Sequence, residues 1–399
     1  MIRELKRLHW YSRGWLTAVK TVTRVTAQAN QYQKKTMKAN LLHGNVIAGV
    51  KPTVNDIARH AGVSLATVDR VLNARPGVRK VTIQRVNRAI DELGYIRDTA
   101  AANLARRRFY QFVFLLPDSD SEFIDEVAEQ IDAQALTLAS DRTRLHARRV
   151  PAFDSQSIAI ALDELQPDVA NGVAVIGPET PAVRDAISRA TQRGIAVVAL
   201  LSDLPSSSRD HFIGIDNTSA GQTAAQLMGR FINVDTGSIL VLTGSRLARD
   251  HLERRLGFDE VMTGNFPQLT ILPSVEIRDD RKPHEIALSN AFAEMKDICG
   301  IYSTTATNEG LLQFLQRRDD LPKNLVVIAH ELTPQSRQAL RAGCFDAVIS
   351  QDTGHIVRSA VRLMRATVDA IPHNALQERI RIEIFLKENL PSYGPADAR

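Results

Sequence analysis

Between residue 111 and about residue 370 the chain alternates short apolar runs with amphipathic stretches, and this rhythm restricts its fold more than any other feature. The runs 112–116, 172–176, 195–200, 239–242, 298–302, 326–329 and 347–349 read as strands covered on both faces, because they are almost continuously Val, Ile, Leu, Phe and Ala. Between them, 121–139, 181–193, 217–232, 247–263, 283–297, 308–317 and 353–370 carry helical periodicity. Such alternation predicts an α/β body of two doubly wound parallel sheets. Ligands of these sheets bind beyond the carboxyl ends of the strands, so the polar loops there are the candidate site. Those loops are Asp118-Ser119-Asp120, Ser202-Asp203, Asp216-Asn217, Thr243-Gly244-Ser245, Thr307-Asn308-Glu309, His330-Glu331 and Gln351-Asp352.

The front of the chain is built differently. The 399 residues carry a net charge of only +5, yet residues 1–108 hold 21 Lys/Arg against 6 Asp/Glu, leaving the remainder at −10. A basic front end of this kind suits a polyanionic partner. Within it, 1–50 form an Arg/Lys-rich arm in which Glu4 is the only acid, and no apolar run of the 7 to 15 residues found in secretory signals follows. The arm is expected to be a disordered extension or a start-site artefact with Met37 as the initiator, and an organellar transit peptide also fits its composition. A hydrophobic fraction of 44% excludes wholesale disorder, and the longest apolar run, 195–201, falls far below the roughly 18 residues a membrane span needs. Cys299 and Cys344, the only cysteines, lack metal-ligand spacing and point to a reducing, cytoplasmic setting.

The most informative motif begins at Lys51. Thr53 offers an N-cap ahead of Val54, Ile57, Ala58 and Ala61, and Gly62 permits a tight turn. Ser64 caps a second helix in which Val68, Val71 and Leu72 face inward while Leu65, Ala66, Asp69 and Arg70 face out, until Asn73 ends it. A third helix follows, with Val86, Ile90 and Leu93 in register and Gly94 as its C-cap. Two short helices about a Gly-containing turn form a helix-turn-helix, whose second helix enters the major groove.

The ordered series Lys51-Pro52-Thr53-Val54-Asn55-Asp56-Ile57-Ala58, Ala61-Gly62-Val63-Ser64, Ala66-Thr67-Val68-Asp69-Arg70-Val71-Leu72-Asn73 and Leu93-Gly94-Tyr95 resembles the head of the lactose/galactose repressor family of bacterial transcription regulators. The resemblance extends through the body, to about residue 391, as the two-lobed fold of ribose-type periplasmic binding proteins. It implies a head over 51–96, a hinge helix over 97–109, an effector-binding and dimerisation domain over 110–391 and a tail over 392–399. Within the body it implies an N-subdomain near 110–233 that the chain later re-enters, a C-subdomain near 237–350, and three crossings between them.

Carried over position by position, the resemblance places Leu65, Ala66 and Arg70 on base edges, with Arg70 suited to bidentate guanine reading. Thr53, Val54, Ser64, Thr67 and Asn73 fall at or beside backbone contacts. Asp69 stands where Ser is usual. Leu104 matches the side chain that wedges into the minor groove, and Arg106 lies along the phosphates. In the body, Arg254, Asn308, Glu331 and Gln351 match the polar ligands of a sugar. Beside them, Phe123 offers a ring to stack on a sugar's apolar face, and Asp118, Ser202 and Asp203 join the expected ligand set from the polar loops after strands.

No G-x-G-x-x-G follows the first strand, and neither a P-loop, a G-x-S-x-G elbow nor an H-E-x-x-H pair is present. The expectation is therefore a homodimeric, cytoplasmic, nucleoid-associated DNA-binding regulator, by default a repressor, without catalytic or metal residues or a cofactor. It would recognise a pseudo-palindromic operator under allosteric control by a monosaccharide, sugar phosphate or cyclitol. Two alternatives stay open: a constitutive regulator whose body only dimerises, and a sugar-binding component of a transporter.

Overall fold

A computed structural model describes residues 52–72, 76–95, 109–277, 281–295 and 297–391, leaving aside the side chains of 281–284. The arm, Asn73, the hinge residues Leu104 and Arg106, and the tail lie outside these. The chain divides into two compact units, Met1–Ala105 and Arg106–Arg399.

Among its described residues, the first unit is a three-helix head. Helices α1 (Val54–Ala61), α2 (Leu65–Leu72) and α3 (Lys80–Leu93) enclose Ile57, Ala61, Val68, Val86 and Ala89, all at most 5% exposed. Asp56 accepts from the backbone N–H of Thr53 at 2.8 Å and from its hydroxyl at 2.7 Å, which pins the start of α1. Gly62 then adopts φ 61°, a conformation that lets the chain turn directly into α2. Ser64 Oγ accepts from Thr67 N–H at 3.2 Å and caps α2, as its spacing predicts.

The second unit contains both sheets. One has the order β2-β1-β3-β4-β5, all parallel, from β1 (Tyr110–Asp118), β2 (Thr143–Pro151), β3 (Gly172–Val175), β4 (Ala196–Leu200) and β5 (His211–Ile213). Successive residues of β1 serve opposite layers, as strand geometry requires. Phe112, Phe114 and Leu116 pack with Ile124, Val127 and Ile131 of α4 (Glu122–Leu138), whereas Val113 and Leu115 join the core that holds α5 (Ser155–Asp163) and α6 (Pro181–Gln192).

The other sheet runs β12-β11-β10-β9-β6-β7, built from β6 (Gly237–Thr243), β7 (Leu269–Ile271), β9 (Ile298–Ser303), β10 (Val326–His330), β11 (Ala347–Ser350) and β12 (Glu383–Phe385), with β8 (Val275–Glu276) also pairing β6. It is parallel except for β12, which lies antiparallel to β11 and so departs from the all-parallel expectation. Its faces are covered by α7 (Asn217–Phe231) and α8 (Arg249–Asn265) on one side, and by α9 (Arg281–Glu294), α10 (Glu309–Arg317) and α11 (Pro334–Ala342) on the other.

One boundary differs from the expectation. Helix α7 belongs to the second lobe, so the first crossing falls at 214–216 and not near 233. The cause is the close packing of α7 on α8: a Cβ on Gly221 would lie 1.9 Å from Arg254 O, and one on Gly257 would lie 2.0 Å from Thr218 O. The chain returns to the first lobe through α12 (Thr353–Asp369), whose Ile356, Val357, Ala360 and Met364 are buried with the β1 side chains, and crosses again to reach β12.

Candidate functional site

The cleft between the two sheets, about 780 Å³ including its open mouth, lies where the carboxyl ends of both sets of parallel strands converge. Ser119, Ser121 and Phe123 reach it after β1, Phe153 after β2, Leu201 and Ser202 after β4, and Asp250, His251 and Arg254 from the start of α8. Thr305 and Thr307 follow β9, Glu331 follows β10, and Gln351 follows β11.

Arg254 organises the floor. It is 2% exposed, and its three nitrogens donate separately: Nε to Asn217 Oδ1 at 2.9 Å, Nη1 to Thr304 O at 2.8 Å and Nη2 to Glu331 Oε1 at 3.2 Å. The Gly221–Gly257 approach is what brings Arg254 of α8 against Asn217 of α7. The same Glu331 oxygen accepts from Gln351 Nε2 at 2.9 Å, and Gln351 Oε1 in turn accepts from the backbone N–H of Ile215 at 3.3 Å. Gln351 thereby joins two of the interlobe crossings to the floor. Burial pushes the Glu331 carboxyl above its ordinary range, against the pull of the Arg254 guanidinium and the Gln351 hydrogen bond.

Three polar atoms of cleft-lining residues have no hydrogen-bond partner among the described residues: Glu331 Oε2, Ser121 Oγ and Thr307 Oγ1. Burying such a group unpaired costs roughly 1–3 kcal/mol. Backbone strain also concentrates here, because three of the five described non-glycine residues with positive φ, namely Phe153, Leu201 and Glu331, line the cleft. The lobes are clasped at its rim, where Arg249 Nη1 donates to Glu179 Oε2 at 2.9 Å and the backbone N–H of Asp250 to Ser202 Oγ at 3.3 Å.

Of the eight body positions expected to hold a ligand, the structure brings together Phe123, Ser202, Arg254, Glu331 and Gln351. The other three lie elsewhere. Asp118 lines an adjoining recess with Asp120 and Glu276. Asp203 turns away to Arg209, whose Nη2 it meets at 2.7 Å. Asn308 spends its amide on the protein, accepting from Ser303 Oγ at 2.7 Å and donating to His330 O at 3.0 Å and Thr305 O at 3.2 Å, so it shapes the loop that carries Thr305 and Thr307. His330 faces the core, bonded through Nε2 to Tyr302 OH at 2.9 Å, and burial first, then the charge of Arg254, holds it well below the usual histidine range. Asp250 and His251 escaped the sequence reading although they stand one turn ahead of Arg254, a spacing that puts them on the same helix face.

In the head, Leu65, Ala66, Asp69 and Arg70 form an exposed face of α2, as expected, with Ser64 beside them and Thr67 half-buried. Thr53 is exposed at the start of α1, but Val54 is half-buried against the head core and so is a packing residue first. Among the described residues no group of three or more His, Cys, Asp or Glu side chains converges to hold a metal, and no helix is long and apolar enough to cross a membrane.

Two lobes with a cleft at their strand ends define a body of the periplasmic-binding type, and the family profile described as a periplasmic binding protein domain matches residues 112–370, more than half of the chain. A second profile, for bacterial regulatory proteins of the lacI family, matches residues 53–98. The chain belongs to the lacI family of bacterial regulatory proteins, with a periplasmic binding protein domain as its body. It is similar to the maltose regulon regulatory protein MalI of Vibrio furnissii, 37% identical over 92 residues covering 22% of this chain and 67% of that one. It is also similar to the HTH-type transcriptional regulator DegA of Bacillus subtilis strain 168, 24% identical over 213 residues covering 53% of this chain and 61%, less than two thirds, of that one. Among solved structures, an ABC transporter solute binding protein from Burkholderia graminis in complex with D-arabinose shares the fold, with a TM-score of 0.65, 20% identity, and coverage of 71% of this chain and 97% of that one.

Proposed function

We propose that this protein is a homodimeric transcriptional regulator that reads a pseudo-palindromic operator through α2 and responds to a small polyhydroxylated ligand held in the interlobe cleft. The observation that carries the reading is the buried Arg254–Glu331–Gln351 array together with the unpartnered Glu331 Oε2, Ser121 Oγ and Thr307 Oγ1. The unpartnered carboxylate oxygen and the two hydroxyls supply the acceptors and donors that adjacent hydroxyls need, over a floor that Arg254 and Gln351 hold in place, while Phe123 and Phe153 offer apolar surface to a ring. The maltose and arabinose named for the two relatives are in keeping with this class.

Regulation follows from where the array sits. A ligand bonded to Ser121 on one lobe and to Glu331 on the other favours the clasped arrangement over any other, by its difference in affinity for the two. Gln351 links that preference to the crossing at Ile215. In the head, Arg70 would read a base pair, and Ser64 and Thr53 would approach phosphates. The test is calorimetry of the full chain against pentoses, hexoses and cyclitols. Saturable heat that disappears in Ser121→Ala with Thr307→Val supports the reading, and no heat from any compound refutes it.

A further inference from the structure

The charge inventory of the cleft narrows the ligand class further, and this step rests on the polyol reading above. Among the described lining residues, Arg254 is the only Lys or Arg. All three of its nitrogens already donate to protein acceptors, and Glu331 Oε1 stands 3.2 Å from Nη2, so its charge is matched within the floor. Two of the described lining residues are carboxylates: Glu331, whose charge that pairing matches in turn, and Asp250, which is left as the unmatched charge of the lining. His251 accepts a hydrogen bond at Nδ1 from Ser245 N–H at 3.3 Å, which leaves its proton on Nε2, 3.6 Å from Asp250 Oδ2.

Two neighbouring cations are engaged as well, and Arg246, exposed beside the recess, donates to Ser274 O at 3.4 Å. Arg249 is shared between Glu179 at 2.9 Å and Glu253 at 2.7 Å, and Arg149 donates to Pro117 O at 3.0 Å and also pairs with Asp125. The recess that shares Ser119, Ala152 and Phe153 with the cleft adds Asp118, Asp120 and Glu276, and no described lining residue there is basic. Sites that take a phosphate or carboxylate group supply an unmatched Arg or Lys, or a helix N-terminus free of acids, to meet its charge. Two helix starts reach this cleft, α4 at Ser121 and α8 at Ala248, and each carries acids in its first turn, Glu122 and Asp125 on α4 and Asp250 on α8. Here the unpartnered groups are one carboxylate oxygen and two hydroxyls, which suit ligand hydroxyls.

We propose that the cleft selects an uncharged polyhydroxylated ligand and rejects its phosphorylated and carboxylate-bearing relatives. Two unit charges of the same sign at about 6 Å repel by roughly 3 kcal/mol at an effective dielectric of about 20, which corresponds to about a hundredfold in affinity.

The experiment is calorimetry of the full chain with matched sets of probes: a pentose, a hexose and a cyclitol, each beside its monophosphate, and the two sugars also beside their aldonic acids. The neutral member of at least one set is expected to bind ten- to a hundredfold tighter than its anionic partners. Asp250→Asn, and independently Asp120→Asn at the exposed mouth, are expected to narrow that ratio, and the second change keeps the measurement informative if the first disturbs the fold. An anionic member that binds as tightly as its neutral partner, or tighter, overturns this inference and leaves the polyol reading standing. Failure of every member to bind overturns both.

Discussion

Replacing Arg254 by Met tests the floor of the cleft as a coupled unit. The change removes hydrogen bonds of 2.9, 2.8 and 3.2 Å at a side chain 2% exposed, and leaves Glu331, 1% exposed, without its counter-charge. Removing one partner of a buried ion pair costs about 3–5 kcal/mol, whereas replacing both partners with apolar groups of similar volume is often close to neutral. Arg254→Met should therefore destabilise the body by about 3–5 kcal/mol, and adding Glu331→Leu should recover about half of that or more. Urea unfolding followed by far-UV circular dichroism measures both, with the midpoint and slope compared across variants. Tryptophan fluorescence is the wrong probe, because Trp10 and Trp15 both precede the body. A single variant costing less than about 1 kcal/mol, or a double variant whose cost is the sum of the two singles, would refute the coupling.

Gly257→Ala should lower stability by about 2 kcal/mol or more and weaken ligand binding with it, because its new Cβ would meet Thr218 O at 2.0 Å and push α8, with Arg254, away from Asn217; thermal unfolding and calorimetry report the two effects. Acid should also destabilise the body through His330, whose native affinity for a proton falls well below the ordinary 6.5. Below about pH 6.5 the unfolded chain binds a proton that the folded one does not, so stability is complete above that value and falls as pH drops, by up to about 1.4 kcal/mol per unit. His330→Gln should flatten this slope, and unchanged slopes would count against it. In the head, Arg70→Ala should abolish preference for a selected operator over random duplex while leaving weak, salt-sensitive binding; gel-shift titrations at two salt concentrations decide the matter, and intact selectivity removes Arg70 from the base contacts.

How much of this was legible in the sequence depends on what each residue packs against. The central strands were readable because they are buried on both faces, and the three head helices because their caps and apolar spacing agree. Strand β2 was not, since an edge strand reading Thr-Arg-Leu-His-Ala-Arg-Arg-Val-Pro buries only Thr143, Leu145 and Val150 and carries no alternating apolar signal. Without β2, Phe153 could not be placed at a strand end. The move of α7 to the second lobe rests on Gly221 and Gly257, whose contact lies between helices about 36 positions apart and leaves no local trace. Arg254, Glu331 and Gln351 were found by position after strands or ahead of Gly257-Phe258. Asn308 was placed by the same reasoning, yet the structure turns its amide back on the protein. Position after a strand does not say whether a side chain faces the cleft or the loop.

Regulation by a cleft ligand requires coupling between cleft occupancy and operator binding. Its direct test is fluorescence anisotropy of a labelled operator, selected from random duplex, titrated with the full chain in the absence and presence of a saturating polyol identified by calorimetry. A change of tenfold or more in operator affinity, absent in Ser121→Ala with Thr307→Val, is the predicted result. An operator affinity that stays the same while the polyol is bound would contradict the account.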